Sequence, residues 1–392
     1  MRRTALLAPR IAVALAAALV LAACGSGTST ESATAAAPTA PAGGPLDLKA
    51  AGCPATVVMQ QDWQPEAEHG AMYSVVGPGY TIDSDKKSVT GPLVAQGVDT
   101  GVKVEVRAGG SNTGFQPVPA LMYIDPSITF GAVNTDQAIV SAAAKQPTVA
   151  VTSQMTVSPQ ILMWDPASHP GMTTVKQVAG TGVPVVTSGE IIPALLESQR
   201  IMAKSQADTS YDGTPARFVS DPKIMQQGFA TAEPYIYENE IAQWKKPIGS
   251  EPLSNYGYSI YPEPLAVRSD KLAEITPCLK KLVPIMQQAE VDYLKTPGPT
   301  NGLIIKLVDS YQTGWSYTAG DADFSAATQI KGGFVKNDPA SGVFGQFDPA
   351  RMKDTVARFV PLLQAAGTLT GPAPTADSLY TNQFIDKNVK LS

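Results

Sequence analysis

Aromatic rings and carboxylates are concentrated in residues 62–73, which read Asp-Trp-Gln-Pro-Glu-Ala-Glu-His-Gly-Ala-Met-Tyr. Indole and phenol rings offer flat apolar faces, while imidazole and carboxylate groups orient a ligand through hydrogen bonds. This stretch follows an apolar run at residues 56–59 that is typical of a buried strand. Ligands bind at such strand ends in α/β proteins, so we take Trp63, Glu66 and His69 as candidate contacts. The alternative is an ordinary strand-to-helix turn in which the Trp only fills the core.

Polar side chains also follow later strand-like runs. Asn134 and Asp136 come after such a run, although Asp136 is equally suited to capping the helix that follows. Glu233 lies in a stretch predicted to be extended, where its carboxylate is available as an acceptor, and Tyr235 offers another ring. The remaining candidates, at the predicted start of a helix, are Ser188, Gly189 and Glu190.

No pattern indicates a metal centre or a catalytic nucleophile. The two histidines, His69 and His169, are far apart, and the spacing of Cys and His fits no zinc motif. The sequence contains no Gly-x-Ser-x-Gly elbow, phosphate loop or dinucleotide fingerprint. His69 has carboxylates beside it and could act as a base, but no nucleophile is positioned for it. We therefore predict a binding protein without metal or cofactor, rather than an enzyme.

The first residues indicate export. A positively charged leader precedes an apolar run at residues 11–22 that is too short and too rich in Ala to predict a membrane span. The run ends in Leu-Ala-Ala-Cys-Gly, which resembles a bacterial lipobox, so we predict a signal peptide over residues 1–23 and lipidation, with palmitate, at Cys24. An ordinary signal peptide with an incidental Cys is the alternative.

The stretch after Cys24 consists almost wholly of small residues and proline. It buries too little apolar surface to offset its ordering entropy, so we predict that residues 24–48 are the lipidated Cys and a flexible tether. The protein would then be lipid-anchored on the extracytoplasmic face of the cell membrane. No other apolar run is long enough to span a bilayer.

The body is too long for one small core and suggests two domains. The 392 residues carry a formal net charge of −5, and removal of the leader makes the chain more negative by three charges. Because no cluster of Lys and Arg is present, this balance argues against nucleic acid and anionic membranes as partners. Cys53 and Cys278 are an even pair in an oxidising compartment, which favours a disulfide over the alternative of two free buried thiols.

Strand-like and helix-like segments alternate in the body, which is typical of a parallel or mixed sheet covered by helices. The strand-like runs are residues 56–59, 102–106, 127–131, 148–152, 160–164, 183–186, 215–219 and 264–268. Helices are predicted over residues 135–144, 190–204, 221–229, 277–295, 300–311, 322–331 and 349–366.

Four motifs together resemble one family. They are residues 62–73 (Asp-Trp-x-Pro-x-x-x-His-x-x-x-Tyr), 130–134 (Phe-Gly-Ala-Val-Asn), 147–151 (Pro-Thr-Val-Ala-Val) and 226–235 (Gln-Gln-Gly-Phe-Ala-Thr-Ala-Glu-Pro-Tyr). With the lipobox and tether, they are similar to solute-binding lipoproteins of ABC importers, in the branch that contains the thiamine-pyrimidine-precursor, riboflavin, taurine, alkanesulfonate and nitrate binders. The chain departs from that branch at residues 75–85.

The resemblance implies an α/β, two-lobed, type II periplasmic-binding-protein fold with the ligand cleft between the lobes. Lobe 1 would comprise residues 49–154 plus 263–392, and lobe 2 residues 155–262. Cys53 and Cys278 would then share a lobe, as a disulfide requires. Hinge closure over a small solute would be recognised by an ABC permease and its ATPase, with the binding protein acting as a monomer.

The candidate residues restrict the solute. A small anion needs Lys, Arg or several backbone amides, whereas the candidate cleft stretches carry acids and neither basic residue. We therefore expect a nitrogen-rich solute, such as an aminopyrimidine-like heterocycle, stacked on Trp63 and Tyr235. The alternatives are a sulfonate, taurine or nitrate binder with the anion at residues 187–189, an anchored enzyme of the thiamine-pyrimidine synthase type, and an anchored adhesion or signalling protein.

Overall fold

The computed structural model describes residues 36–392. Their strands are β1 (Thr56–Gln60), β2 (Thr81–Asp83), β3 (Ser88–Ala95), β4 (Val98–Arg107), β5 (Ile128–Ala132), β6 (Thr148–Thr152), β7 (Gln160–Trp164), β8 (Val185–Val186), β9 (Ala207–Asp208), β10 (Met225–Phe229), β11 (Gly249–Pro252) and β12 (Leu265–Arg268). Their α-helices are α1 (Gly70–Ser74), α2 (Val118–Ile124), α3 (Thr135–Ala143), α4 (Val175–Ala179), α5 (Ile191–Ser198), α6 (Ala216–Ser220), α7 (Glu233–Asn239), α8 (Leu272–Lys295), α9 (Gly298–Tyr311), α10 (Ala319–Lys331) and α11 (Pro349–Ala365).

The strands form two mixed sheets. The first has the order β2-β3-β4-β1-β5-β12-β6, and the second has the order β11-β7-β10-β8-β9. In the first sheet β1 runs parallel to both β4 and β5, and its Val57 and Met59 are fully buried. The β-branched and apolar residues of β1 suit this central, doubly covered position. The chain builds the second sheet between β6 and β12, so it crosses between the sheets twice.

Helix α11 connects the parts of the fold that contain the two sheets. Its Phe359 and Leu363 belong to one apolar cluster with Ile139 of α3 and Leu195 of α5. The chain from Ala36 to Ser392 is accordingly one compact unit.

A half-buried arginine links the two crossings to α11. The Arg351 guanidinium donates hydrogen bonds to the carbonyl oxygens of Thr156, Ser259 and Ile260 at 2.5–2.9 Å. It also lies over the Tyr261 ring, with its carbon 3.8 Å from the ring centroid. A planar fork of donors suits several carbonyls at once, so Arg351 holds both connecting segments in one arrangement.

The described part of the tether stretch packs against the body. The Asp99 amide donates to the Pro38 carbonyl, and the Ala40 amide donates to the Asp99 carbonyl. Lys281 donates to carbonyls of the same stretch, and Leu48 is fully buried. The prediction of a free tether as far as residue 48 is therefore wrong from Pro38 onward, because backbone pairing and burial of Leu48 offset the ordering entropy. The predicted signal peptide and Cys24 lie outside the described residues.

Most predicted elements are present, but one predicted strand is a helix and the predicted helix after it is a strand. Strands β6 and β7 have the predicted bounds, and the four C-terminal helices end within one residue of prediction. Residues 215–219 and 221–229, predicted as strand and then helix, instead form helix α6 and strand β10. The reason is that β10 is covered by sheet neighbours on both edges and is buried on both faces, so it lacks the alternation that marks a half-exposed strand.

Cys53, just before β1, and Cys278, in α8, are joined by a disulfide. The bond attaches α8 to the first sheet. None of the helices in residues 36–392 is long and apolar enough to cross a membrane.

Candidate functional site

A cavity of about 480 Å³ lies where loops from the two sheets meet. Residues that follow β1 and β5 line one side, and residues that follow β8 and β10 line the other. Six carboxylic acids line it: Asp62, Glu66, Glu68, Asp136, Glu233 and Glu263. Among the described residues, the cavity lining contains no Lys, Arg or His. This space is large enough for a small organic molecule.

The loop after β1 is fixed by backbone hydrogen bonds to the loop after β4. The Gly109 amide donates to the Trp63 carbonyl at 2.7 Å, and the Gly110 amide donates to the Asp62 carbonyl at 2.8 Å. A Cβ on Gly109 would lie 2.3 Å from the Gln61 carbonyl oxygen, so only glycine permits this close approach. The pairing places Asp62 and Trp63 at the cavity wall.

Three ionisable side chains meet beneath the cavity. His69 Nε2 lies 3.1 Å from Asp62 Oδ1 and 3.2 Å from Glu263 Oε2. Asn134 holds the two acids in place: its Nδ2 donates to Asp62 Oδ2, and its Oδ1 accepts from the Glu263 amide, each at 3.1 Å. His69 is fully buried, whereas Asp62 and Glu263 reach the cavity.

The acids around His69 change its acid–base properties. Burial acts to lower the pKa of His69, but the carboxylates of Glu263 and Asp62 outweigh it and raise that pKa well above the ordinary value. Glu66, whose Oε1 is 3.9 Å from His69 Nδ1, has its pKa raised well above the ordinary value, chiefly by burial and then by Glu68. Three carboxyl groups, those of Asp62, Glu66 and Glu263, thus surround one imidazole.

The opposite wall carries Glu233 at the start of α7. Its Oε2 accepts a hydrogen bond from the Phe229 amide at 2.5 Å, and its Oε1 accepts from Tyr211 Oη at 3.3 Å. Burial nevertheless raises the pKa of Glu233 to about 7. No basic side chain lies in the described cavity wall to lower that pKa again, so Glu233 is poised to ionise when a cation approaches.

Asp136 is held on the first turn of α3. Tyr258 Oη donates to its Oδ2 at 2.9 Å, and the Gln137 amide donates to its Oδ1 at 2.8 Å. Burial is the largest influence and raises the pKa of Asp136 despite these hydrogen bonds. Asp136 therefore lines the cavity and accepts from an amide of the first turn, whereas the N-cap residue is Asn134, which makes no side-chain cap hydrogen bond.

Aromatic rings gather at one side of the cavity. The Trp63 ring centroid is 5.8 Å from that of Phe115 and 6.2 Å from that of Trp315. A Cβ on Gly213, from the second-sheet side, would lie 2.6 Å from the Trp63 ring. Trp63 thus contacts both sides of the cavity and offers a flat surface on which a heterocycle can stack.

The structure places seven of the predicted site residues in the cavity lining and three elsewhere. Those that line the cavity are Trp63, Glu66, Asn134, Asp136, Ser188, Gly189 and Glu233. His69 lies behind the lining, buried against Asp62 and Glu263, and Glu190 is exposed at the start of α5. Tyr235 stacks on Phe324 instead, with ring centroids 5.5 Å apart.

The position of Tyr235 follows from local structure that the sequence did not reveal. Glu233 begins a helix rather than lying in an extended stretch, with Pro234 in its first turn. On a helix, Ala232, Glu233 and Ile236 share the face toward the cavity, while a residue two positions after Glu233 points away. Tyr235 is therefore not among the residues that line this cavity, and its stacking on the solute stays a prediction.

The search by sequence missed Glu263, Phe115 and Trp315. Glu263 stands between two prolines in the second crossing between the sheets. Because such crossings border the cleft, a polar residue there could have been considered as a candidate contact. Phe115 and Trp315 lie in loops with no recognisable motif.

Comparison with solved structures shows the fold. The periplasmic aliphatic sulphonate binding protein SsuA from Escherichia coli aligns with TM-score 0.51 and 12% identity, covering 85% of this chain and 94% of that one. A ligand binding component of an ABC-type import system from Staphylococcus aureus, with zinc bound, aligns with TM-score 0.50 and 11% identity over 86% and 99% of the chains. An ABC transporter protein from Parabacteroides distasonis aligns with TM-score 0.50 and 9% identity over 84% and 100%.

No protein-family model matches the sequence, and the search of curated proteins also finds no match. The predicted fold class is confirmed: the chain is an α/β protein with two sheets and the periplasmic-binding-protein fold. Its structural neighbours include solute-binding proteins of ABC importers.

Proposed function

We propose that this protein is the extracytoplasmic solute-binding component of an ABC importer and that its solute is a small organic molecule bearing a protonated amine or several N–H groups. A pyrimidine-like heterocycle is one such molecule. The observation that carries the proposal is the cavity lining, which holds six carboxylic acids and, in the described residues, no Lys or Arg. Carboxylates only accept hydrogen bonds when ionised, so they complement donors and positive charge.

The two walls supply different parts of such a site. Trp63 and Phe115 offer ring faces for a planar solute, and Glu233 lies across the cavity as an acceptor. A cation that approaches Glu233 favours its ionised form, so we expect binding to release a proton and to tighten as the pH rises through about 7.

The anion alternative finds less support in the loop after β8. The Ser188 amide already donates to Gln227 Oε1 at 2.8 Å, and the Thr187 amide donates to the Asp208 carbonyl. Two of the three backbone donors proposed for an anion in residues 187–189 are thus engaged. A sulfonate in the cavity would also lie among buried acids without a basic partner from the described lining.

We propose that the parts carrying the two sheets act as lobes, residues 49–154 plus 263–392 and residues 155–262, and that they close on the solute. The segments that Arg351 holds, at Thr156 and at Ser259, would be the hinge, because the chain passes between the sheets there. An ABC permease with its ATPase would receive the closed monomer near the membrane, and the binding protein itself would catalyse no reaction.

The test is thermal unfolding of the full chain in EDTA with a panel of solutes. Amines, thiamine and hydroxymethylpyrimidine represent the cationic and N–H-rich class, and taurine, alkanesulfonates and nitrate the anionic class. A ligand specific for the folded state at 100 times its Kd adds about 2.7 kcal/mol to the free energy of unfolding and raises the midpoint. Stabilisation by the first class supports the proposal, whereas stabilisation by the anions alone overturns it.

Single substitutions test whether the solute binds in this cavity. Trp63→Ala and Glu233→Gln should each reduce affinity about 10-fold or more, since they remove a ring face and an ionisable acceptor. Asp270→Asn, an exposed acid outside the cavity, should leave affinity unchanged. If all three variants lost affinity equally, the cavity residues would matter no more than the control, and the bound solute would not use this cavity.

A further inference from the structure

We infer that Asp62, His69 and Glu263 form a binding site for one divalent transition-metal ion of the zinc type at the floor of the cavity. Among residues 36–392, only this trio brings three or more potential metal-ligating side chains together, with one ligand atom from each all within 4.8 Å of one another. The inference adds a second ligand to the cavity and does not depend on the identity of the organic solute.

The spacing of the atoms fits tetrahedral coordination. Zinc binds imidazole nitrogen and carboxylate oxygen at about 2.0–2.2 Å, which places neighbouring ligand atoms in a tetrahedron roughly 3.3 Å apart. His69 Nε2 is 3.1 Å from Asp62 Oδ1 and 3.2 Å from Glu263 Oε2. These two separations fit, and the third, between the two carboxylate oxygens, is within 4.8 Å, so rotation of one carboxylate toward the other would admit the ion.

Hydrogen bonding alone does not satisfy the trio. Nε2 carries at most one hydrogen, which cannot bond well to two carboxylates at once. Glu263 is 5% exposed, and its Oε2 has no hydrogen-bond partner even though it faces the imidazole. Replacement of that hydrogen by a metal ion would give both carboxylate oxygens a partner, which a proton on Nε2 does not.

The surroundings hold the three ligands in position. Asn134 donates to Asp62 and accepts from the Glu263 amide, so it fixes the separation of the two acids. Glu66 Oε1 lies 3.9 Å from His69 Nδ1, a nitrogen that is buried without a hydrogen bond. A small movement of Glu66 would complete the carboxylate–histidine pair that commonly orients a metal-bound imidazole.

Backbone strain occurs at the same place. Glu263 has φ +51°, in the left-handed region, although it is neither Gly nor Asn. Non-glycine residues in that region are strained and are found often at ligand sites. Here the conformation aims the Glu263 carboxylate at His69, which ties the strain to the geometry of the trio.

Access and ligand type define the ion. Asp62 and Glu263 line the cavity, so an ion can enter from it, and a fourth coordination position would face the solute. One imidazole with two carboxylates favours zinc or a similar transition metal over calcium or magnesium, which prefer all-oxygen sites. Neutral His69 and two ionised acids would carry two negative charges, equal and opposite to those of the ion.

The first experiment is calorimetric titration of the EDTA-treated and dialysed full chain with zinc chloride. One ion should bind per chain, and Glu263→Gln or Asp62→Asn should each weaken binding by more than about 100-fold. Asp270→Asn, which changes an exposed acid outside the cavity, is the control and should change affinity by less than about 3-fold. No saturable binding, or equal affinity in all variants, would mean an adventitious ion only and would overturn the inference.

A second measurement uses the unmodified chain and needs no substitution in the trio. The sequence has two histidines, and His169 contacts the Lys223 carbonyl away from the trio. Zinc should shift the imidazole NMR signals of His69 and leave those of His169 in place, with His169→Gln used for assignment. Absence of any shift at His69 would refute the site, while the solute titrations in EDTA would still test the importer proposal separately.

Discussion

Several acids that line the cavity have raised pKa values, whereas several acids that pair with basic side chains elsewhere have lowered ones. At Asp125, hydrogen bonds from Ser127 and then from Arg107 lower the pKa to about 2. At Glu233 burial dominates, and the pKa rises to about 7. Outside the cavity, Asp208 pairs with Arg217 and has a lowered pKa, while Asp136 inside has a raised one.

This difference in pKa distinguishes acids with a structural role from acids with a binding role. A carboxylate with a cation beside it stabilises the folded state, whereas a buried carboxylate without one costs stability and tends to become neutral. The cavity retains several of the second kind, and α10 adds Asp321, which is fully buried with no hydrogen bond to either oxygen. Unfavourable groups concentrated in one place indicate selection for a ligand rather than for stability.

The largest effect should follow Asp321→Asn, which should stabilise the protein. Burial and then Glu68 raise the pKa of Asp321 to about 9, from an ordinary value of 3.8. The folded state thus binds more protons than the unfolded state between these values, and the free energy of unfolding falls as the pH rises through that window. Asn lacks this penalty, so its advantage should be absent near pH 4 and should grow by up to about 1.4 kcal/mol per pH unit toward pH 9.

Urea denaturation at several pH values measures that slope. Asp323→Asn is the matched control, because Asp323 lies on the same helix but is exposed. Its stability curve should follow that of the unmodified protein. If Asp321→Asn were destabilising at pH 8, the contrast between unpaired and paired acids would not hold for α10.

The same substitution at a buried acid that has a basic partner should have the opposite sign. Asp165 is 2% exposed, and Lys246 Nζ donates to both of its oxygens at 2.9 Å. Burial acts to raise the pKa of Asp165, but the hydrogen bond from Lys246 and those from Ala167 and Ser168 outweigh it and leave that pKa below the ordinary value. Asp165→Asn should therefore cost about 1–3 kcal/mol at pH 7, since charge-assisted hydrogen bonds are lost.

Dependence on pH distinguishes this loss from a packing defect. The folded-state pKa of Asp165 is lowered, so its contribution is present above the unfolded value near 3.8 and is lost as the pH falls through the folded value. The unmodified protein and Asp165→Asn should thus converge in acid. A difference that stayed constant down to pH 3 would indicate that the Asn side chain packs poorly.

The sequence predicted most of the elements and residues on both walls of the cavity, but not the contacts that join distant segments. Strand β7 and the Trp63 loop were predictable because apolar runs and aromatic-acid clusters are local signals. Glu263 was not, because its relation to His69 exists only once β12 pairs with β5. Likewise β10 resembled a helix, since burial on both faces hides its period.

The smallest effect should follow Asp270→Asn. Arg268 donates to both oxygens of Asp270, at 3.0 and 2.6 Å, and the pair lowers the pKa of Asp270, but half of the Asp270 side chain is exposed. Water and salt screen such a pair, so its loss should cost less than about 1 kcal/mol and should shrink further in 1 M salt. Urea denaturation at low and high salt measures both quantities.

The stability of Asp270→Asn shows whether the difference between the acids comes from burial or from a basic partner. If pairing with a basic side chain were sufficient, Asp270→Asn would cost as much as Asp165→Asn, because both acids have a partner at hydrogen-bond distance. A clearly smaller loss at Asp270 would show that burial sets the size of the effect and that the partner sets its sign. The cavity acids then represent the remaining combination, burial without a basic partner in the described lining, for which a cationic solute or a metal ion can provide the missing charge.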